Sequence, residues 1–352
     1  MNRERYTLTP HMKDYDDFVD RGETQWLPYL MYFHRRSYRS DAVNTDRLGF
    51  RLSTDGEGRT VQVADGPSVP AADLVVGSST AFGVGTSTDA ATLASRLAVH
   101  HPDRPWLNFG GRGYGTTQEF LLFLLHRGLL PEVRNIVILT GLNDLALGGL
   151  PRSVQGEYGG FFFSGEFYSK MGELREEHKR AKAKASSSLL RRTFGSGAAA
   201  APTTPPPPVD DSVPAPEERV EIASERVSEN LGNWRIFADA LGAKVSFVMQ
   251  PLATWIRDTP SPEEKRLFDE LDSKDSSFWR LFGAIADQRV GKLYADALGG
   301  ACAANDVSFL DMNAALTREV EPDRWLFVDR AHFNDGGYDL VSRLIASQVD
   351  LA

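Results

Sequence analysis

The chain has 352 residues, enough for one large domain or two small ones, and its hydrophobic share of 41% with 10% aromatics is ordinary for a globular enzyme. A net charge of -9 argues against a nucleic-acid partner, which needs a basic face for phosphates, and lends no support to an anionic membrane surface. Cys302 is the only cysteine, so an internal disulfide and a cysteine-rich metal site are excluded, and no apolar run is long enough for a signal peptide or a membrane span, from which a cytoplasmic protein is expected.

Residues 1–68 are rich in aromatics and arginine, with Trp26-Leu27-Pro28-Tyr29 and Asn44-Thr45-Asp46-Arg47-Leu48-Gly49-Phe50-Arg51 standing out. The plain reading is an N-terminal arm packed on the main domain, with Gly49 in a turn and Phe50 as an anchor. The main domain, 69–352, opens with Asp73-Leu74-Val75-Val76-Gly77-Ser78-Ser79-Thr80-Ala81-Phe82-Gly83, an apolar strand running into a small-residue turn. Strand and helix then alternate. Thr92 to Ala98 suits a helix, Trp106 to Phe109 a strand, Gln118 to His126 a helix and Asn135 to Thr140 a buried strand.

An insertion, 151–217, interrupts the alternation. It holds Phe161-Phe162-Phe163, which suits a pocket wall and a core plug equally, and the basic run His178 to Lys184, read as a solvated helix end. Serines, alanines and Pro205 to Pro208 leave 185–217 too little to bury, and disorder is expected there. Arg219 to Leu241 is a long amphipathic helix stopped by Gly242, and Lys244 to Met249 is a strand. A mostly helical stretch from Pro262 to Cys302 precedes a fifth strand, Val307 to Asp311. Tyr338, Val341, Leu344, Ile345 and Val349 mark a closing helix.

Four stretches in order, the Ser79 turn, Asn108-Phe109-Gly110-Gly111-Arg112-Gly113-Tyr114-Gly115, Gly141-Leu142-Asn143-Asp144 and Asp329-Arg330-Ala331-His332, resemble the blocks of the SGNH, or GDSL, hydrolase family. The family's four named residues fall on Ser79, Gly110, Asn143 and His332. The resemblance implies a three-layer α/β/α flavodoxin-like domain with five parallel strands, and a serine esterase or an acyltransferase that acylates a sugar or other hydroxyl. The family often has Asp before the nucleophile, where this chain has Ser78. Leaders with similar aromatic-Pro-Tyr and Gly-Phe-Arg stretches precede the first block in relatives associated with acyl chemistry on glycans.

The chemistry of these residues is coherent. A serine hydroxyl must lose its proton to a base as it attacks, and His332, with Asp329 three residues before it, is the candidate. Oxyanion donors are expected from the Ser79 and Gly110 backbone N–H groups and the Asn143 amide; alone, Asn143-Asp144 would read as a helix cap. No dinucleotide motif is completed at Gly83-Val84-Gly85, where Thr88 takes the third place, and there is no P-loop. His100, His101 and His126 lack companions at metal spacing, so neither a cofactor nor a metal is expected.

Overall fold

The computed structural model describes residues 3–19, 23–156, 158–187, 212–274 and 279–351. Five strands carry the domain: β1 (Ala71–Gly77), β2 (Trp106–Gly110), β3 (Glu132–Thr140), β4 (Lys244–Met249) and β5 (Ser308–Asp311). All pair in parallel in the order β2-β1-β3-β4-β5. Parallel pairing demands a crossover between neighbours, and the helices in those crossovers cover both faces.

Alternation along each strand assigns the two faces. Leu74, Val76, Ile136, Ile138, Phe247 and Met249 point into the core beneath the helices α5 (Thr116–His126), α8 (Pro216–Leu241) and α12 (Gln288–Ala304). Val75, Val137, Leu139 and Val248 join the other core, under α4 (Leu93–His100) and α14 (Asp335–Gln348). Burial on both faces explains why these strands read as continuous apolar runs. β3 begins three residues before the expected start at Asn135, because Glu132 and Arg134 project to solvent while Val133 turns inward and Asn135 bonds the buried Asp73 carboxylate through N and Nδ2 at 3.0 and 2.9 Å.

The long helix ends at Gly242 in the left-handed conformation, as its sequence predicts. The expected disorder of 185–217 lies for the most part outside the described residues. At its edges the expectation fails: residues 185–187 close the helix α7 (Ser164–Ser187), and Pro216 and Glu217 form the first turn of α8, a position where proline fits a helix start.

Before the sheet, α1 (Arg3–Leu8) lies against α10 (Pro262–Asp272). Next, α2 (Met12–Phe18) sets Met12, Tyr15 and Phe18 on Phe82, Val84 and Val328. Two short antiparallel ribbons follow, Gln25–Leu27 with Met31–Phe33 and Ser53–Thr54 with Thr60–Val61. No helix among the described residues is long and apolar enough to cross a membrane.

Candidate active site

The carboxyl ends of the strands finish level, with Gly77 beside Gly110 and Leu139, and Thr140 beside Met249. The chain leaves β1 toward β2 on one side and returns to β3 on the other, and a crevice opens at such a reversal. Ser79 starts a single helical turn, α3 (Ser79–Phe82), directly above β1. The turn before α14 brings His332 over it: His332 Nε2 lies 2.7 Å from Ser79 Oγ, and His332 Nδ1 lies 2.8 Å from Asp329 Oδ2. Asp329 Oδ1 also accepts the backbone N–H groups of Ala331 and His332, both at 2.9 Å, which closes the turn on its own carboxylate. Loss of hydration would raise the Asp329 carboxyl, but the charge and hydrogen bonds of His332 and the two backbone donors outweigh it and hold the group below the usual carboxylate value.

The two turns are tied together. Ser78, buried where the resembling family often has Asp, donates to Gln250 Oε1 at 2.7 Å, while Gln250 Nε2 and Thr80 Oγ1 donate to Ala331 O at 3.4 and 3.3 Å. From α14, Tyr338 OH is shared by the carbonyls of Thr80 and Val84 at 3.0 and 2.9 Å. The serine and the histidine thus sit on segments 253 residues apart that share hydrogen bonds on both flanks.

Gly110 does not offer what its sequence position suggests. Its N–H donates to Asn108 Oδ1 at 2.9 Å, and a Cβ there would meet Phe82 N at 2.1 Å. It is a glycine because α3 lies on the strand at that point, and its one proton is already used. The glycine that lines the crevice with Ser79 and Asn143 is Gly113, at φ +73°, and among the described residues no acceptor takes its N–H. Four glycines at 110, 111, 113 and 115 look alike in sequence; only the path of the backbone separates them. Asn143, at the start of α6 (Leu142–Leu147), is 6% exposed, and its Nδ2 gives one proton to Tyr114 O at 2.8 Å and has a second left over. Asp144 is the residue that caps: its carboxylate accepts Thr116 N–H at 3.1 Å and Thr116 Oγ1–H at 2.9 Å at the start of α5. Burial raises its pKa to about 6, with the Thr116 bonds acting against it.

The N-terminal segment braces the loop that carries Gly113. His34 Nε2 accepts Arg112 N–H at 3.1 Å, and Nδ1 faces Gly49 O at 3.1 Å. The ring must therefore be neutral with its proton on Nδ1; burial, with the Arg112 charge beside it, keeps its pKa well below the usual value. Tyr32 OH donates to Arg112 O, and Tyr114 OH returns a bond to Tyr32 O. None of these partners follows a local sequence pattern.

The crevice has a volume of about 300 Å³. Phe163, at φ +66°, walls it and packs edge-on against Tyr32, with ring centroids 4.6 Å apart. His126 Nδ1 bonds Leu122 O and His100 Nε2 bonds Ser342, away from the crevice. Among the described residues no three His, Cys, Asp or Glu side chains gather as metal ligands. Cys302 is buried and its thiol is pushed up to about 12, which keeps it unreactive.

No protein-family model matches this sequence, and no curated protein does. Among solved structures the chain is similar to the lipase/acylhydrolase from Enterococcus faecalis, at 14% identity over 81% of this chain and 99% of that one, with a TM-score of 0.39. It is similar to a member of the lipolytic protein G-D-S-L family from Veillonella parvula, at 10% identity over 79% and 98%, with a TM-score of 0.42. A carbohydrate acetylesterase from Sinorhizobium meliloti is similar at 13% identity over 79% and 97%, also with a TM-score of 0.42. Lipolytic G-D-S-L and SGNH hydrolases thus recur among the solved structures similar to this chain.

Proposed function

We propose that this chain is a serine esterase of the SGNH type that cleaves a short-chain acyl ester through an acyl-Ser79 intermediate. The observation that carries the reading is the unbroken contact from Asp329 through His332 to Ser79 Oγ, at 2.8 and 2.7 Å, on the wall of a crevice. Asp329 accepts the Nδ1 proton, so Nε2 presents its lone pair to the serine hydroxyl. As Ser79 Oγ bonds to the acyl carbon, His332 Nε2 takes the hydroxyl proton and the carbonyl oxygen becomes an oxyanion. The N–H groups of Ser79 and Gly113 and the second proton of Asn143 Nδ2 are the donors for that charge. Collapse breaks the ester C–O bond, and His332 passes its proton to the leaving alkoxide. Water then enters by the same route in reverse, its proton going to His332, and the acid and free Ser79 result.

Purified protein is expected to hydrolyse p-nitrophenyl acetate, and Ser79→Ala and His332→Ala should each lower turnover by up to about a million-fold, because the pair acts as one unit. Wild-type turnover in Ser79→Ala would remove the nucleophile.

A further inference from the structure

Four cationic side chains border the crevice of this protein, whose net charge is -9. They are Arg5, Arg112, Lys274 and Arg330, against two carboxylates, Asp272 and Asp329. Most of this charge is committed. Arg5 grips Asp16 through Nη1 at 2.8 and 3.0 Å, Arg330 holds Asp272 at 2.7 Å, and Asp329 faces His332. Lys274 has the carboxylates of Glu270 and Asp16 nearby, though burial and the Arg5 charge lower its pKa. Arg112 differs from all three, since among the described residues no carboxylate pairs with its guanidinium. That group lies 5.7 Å from the centroid of the Phe18 ring, which is itself stacked on Phe82 at 5.5 Å.

Its place in the chain gives the charge a purpose. Arg112 immediately precedes Gly113, and its own N–H and carbonyl are fixed by His34 and Tyr32. Arg112 therefore lines the crevice next to Gly113 on a backbone held by two hydrogen bonds, and its guanidinium is a planar fork of donors that matches a carboxylate or phosphate. We propose that the ester substrate carries an oxyanionic group close to the scissile bond, and that Arg112 is the residue that selects it. This rests on the esterase reading of the same crevice.

The test compares matched esters. One pair puts the charge in the alcohol part, p-acetoxybenzoate against p-acetoxybenzamide; the other puts it in the acyl part, mono-p-nitrophenyl succinate against p-nitrophenyl butyrate. In at least one pair, the wild type should favour the anion by about ten- to a hundredfold in kcat/KM, the range of a charge-assisted hydrogen bond. About 0.5 M sodium chloride should weaken that preference. Arg112→Gln should bring the two esters within about twofold of each other, and Arg112→Lys should keep part of the preference. Neutral esters cleaved with no preference for either anion would overturn the proposal and leave the esterase standing; so would a preference that survives Arg112→Gln. If no ester is cleaved, the esterase reading fails, and binding of p-hydroxybenzoate against p-hydroxybenzamide, followed by chemical shifts, decides the recognition. Equal binding of the two by the wild type would end it.

Discussion

Gly110, at the end of β2, and Gly113, in the loop after it, answer to different demands. At Gly110 an added methyl group would strike the backbone of Phe82, which has no flexible end to move aside, so Gly110→Ala is expected to cost several kcal/mol of stability and to show it in a urea titration. At Gly113 the nearest atoms are the ends of the Phe163 ring, at 2.9 Å, and the left-handed φ adds about 1–2 kcal/mol of strain. Gly113→Ala should therefore fold yet lose turnover about a hundredfold through a displaced N–H, with KM nearly unchanged; equal turnover in the two proteins would release Gly113 from the oxyanion site. Asp144 gives a pH signature. Its folded carboxyl keeps its proton up to about pH 6, whereas the ordinary value is 3.8. The folded state binds the proton more tightly, so this contribution is complete below the ordinary value and is lost as pH climbs through that interval, by about 3 kcal/mol in all. Asp144→Asn keeps an acceptor for Thr116 and has nothing to ionise. Its stability relative to wild type should rise between pH 4 and 6.5, as read by denaturation at about those two values; a constant difference would mean that Asp144 is ionised throughout.

At the scale of elements, the stretch from Asn44 to Arg51 is a clamp. Asp46 Oδ1 accepts the N–H groups of Leu48, Gly49 and Phe50, which forms the turn, and Asp46 Oδ2 takes Ala64 N–H. Asn44 Nδ2 and Arg51 Nε both reach Asp89, at 2.7 and 2.6 Å, so the segment before the sheet is fastened to the loop after α3. The Arg51 side chain is wholly buried, with further bonds to Ala42 O, Tyr15 OH and Thr86 Oγ1, and its guanidinium is 5.3 Å from the Phe82 ring centroid. Arg51→Met would leave Asp89 without its buried partner and should cost about 3–5 kcal/mol. A loss under about 1 kcal/mol would show the clamp to be idle. The motif was legible as letters, and its plain reading, a turn at Gly49 with Phe50 as anchor, fits the φ of +109° at Gly49 and the complete burial of Phe50.

For the whole molecule the open choice is the acceptor. A wall that includes Leu142, Phe163, Leu252, Phe268 and Phe282 makes the crevice largely apolar, so at the proposed acyl-serine entry of water would compete with entry of another hydroxyl. Mixing the protein with an activated acetyl ester should add one acetyl group to its intact mass, absent in Ser79→Ala, provided that deacylation is the slower step. Its decay should yield free acetate at a rate that added sugars leave unchanged. Faster decay with a sugar present, together with an acetylated sugar, would make the protein a transferase.

The sheet and its helices were determined by local pattern, because a doubly covered parallel strand must be apolar on both sides and each crossover needs a helix of its own. Ser79, Asn143 and His332, the residues proposed for the site, could be placed in sequence for a related reason: Ser79 and Asn143 lie in the first helical turns after β1 and β3, and His332 lies in the turn before α14, where the chain order points to the carboxyl edge. The tertiary structure alone decided which of four glycines faces the crevice, that Asn143 bonds Tyr114 while Asp144 caps α5, and that among the described residues no carboxylate pairs with the Arg112 guanidinium. Those outcomes depend on which atoms from distant segments reach a given N–H or guanidinium first. A hydrogen-bond donor has the same letter whether its proton is used or free, and only the fold settles who uses it.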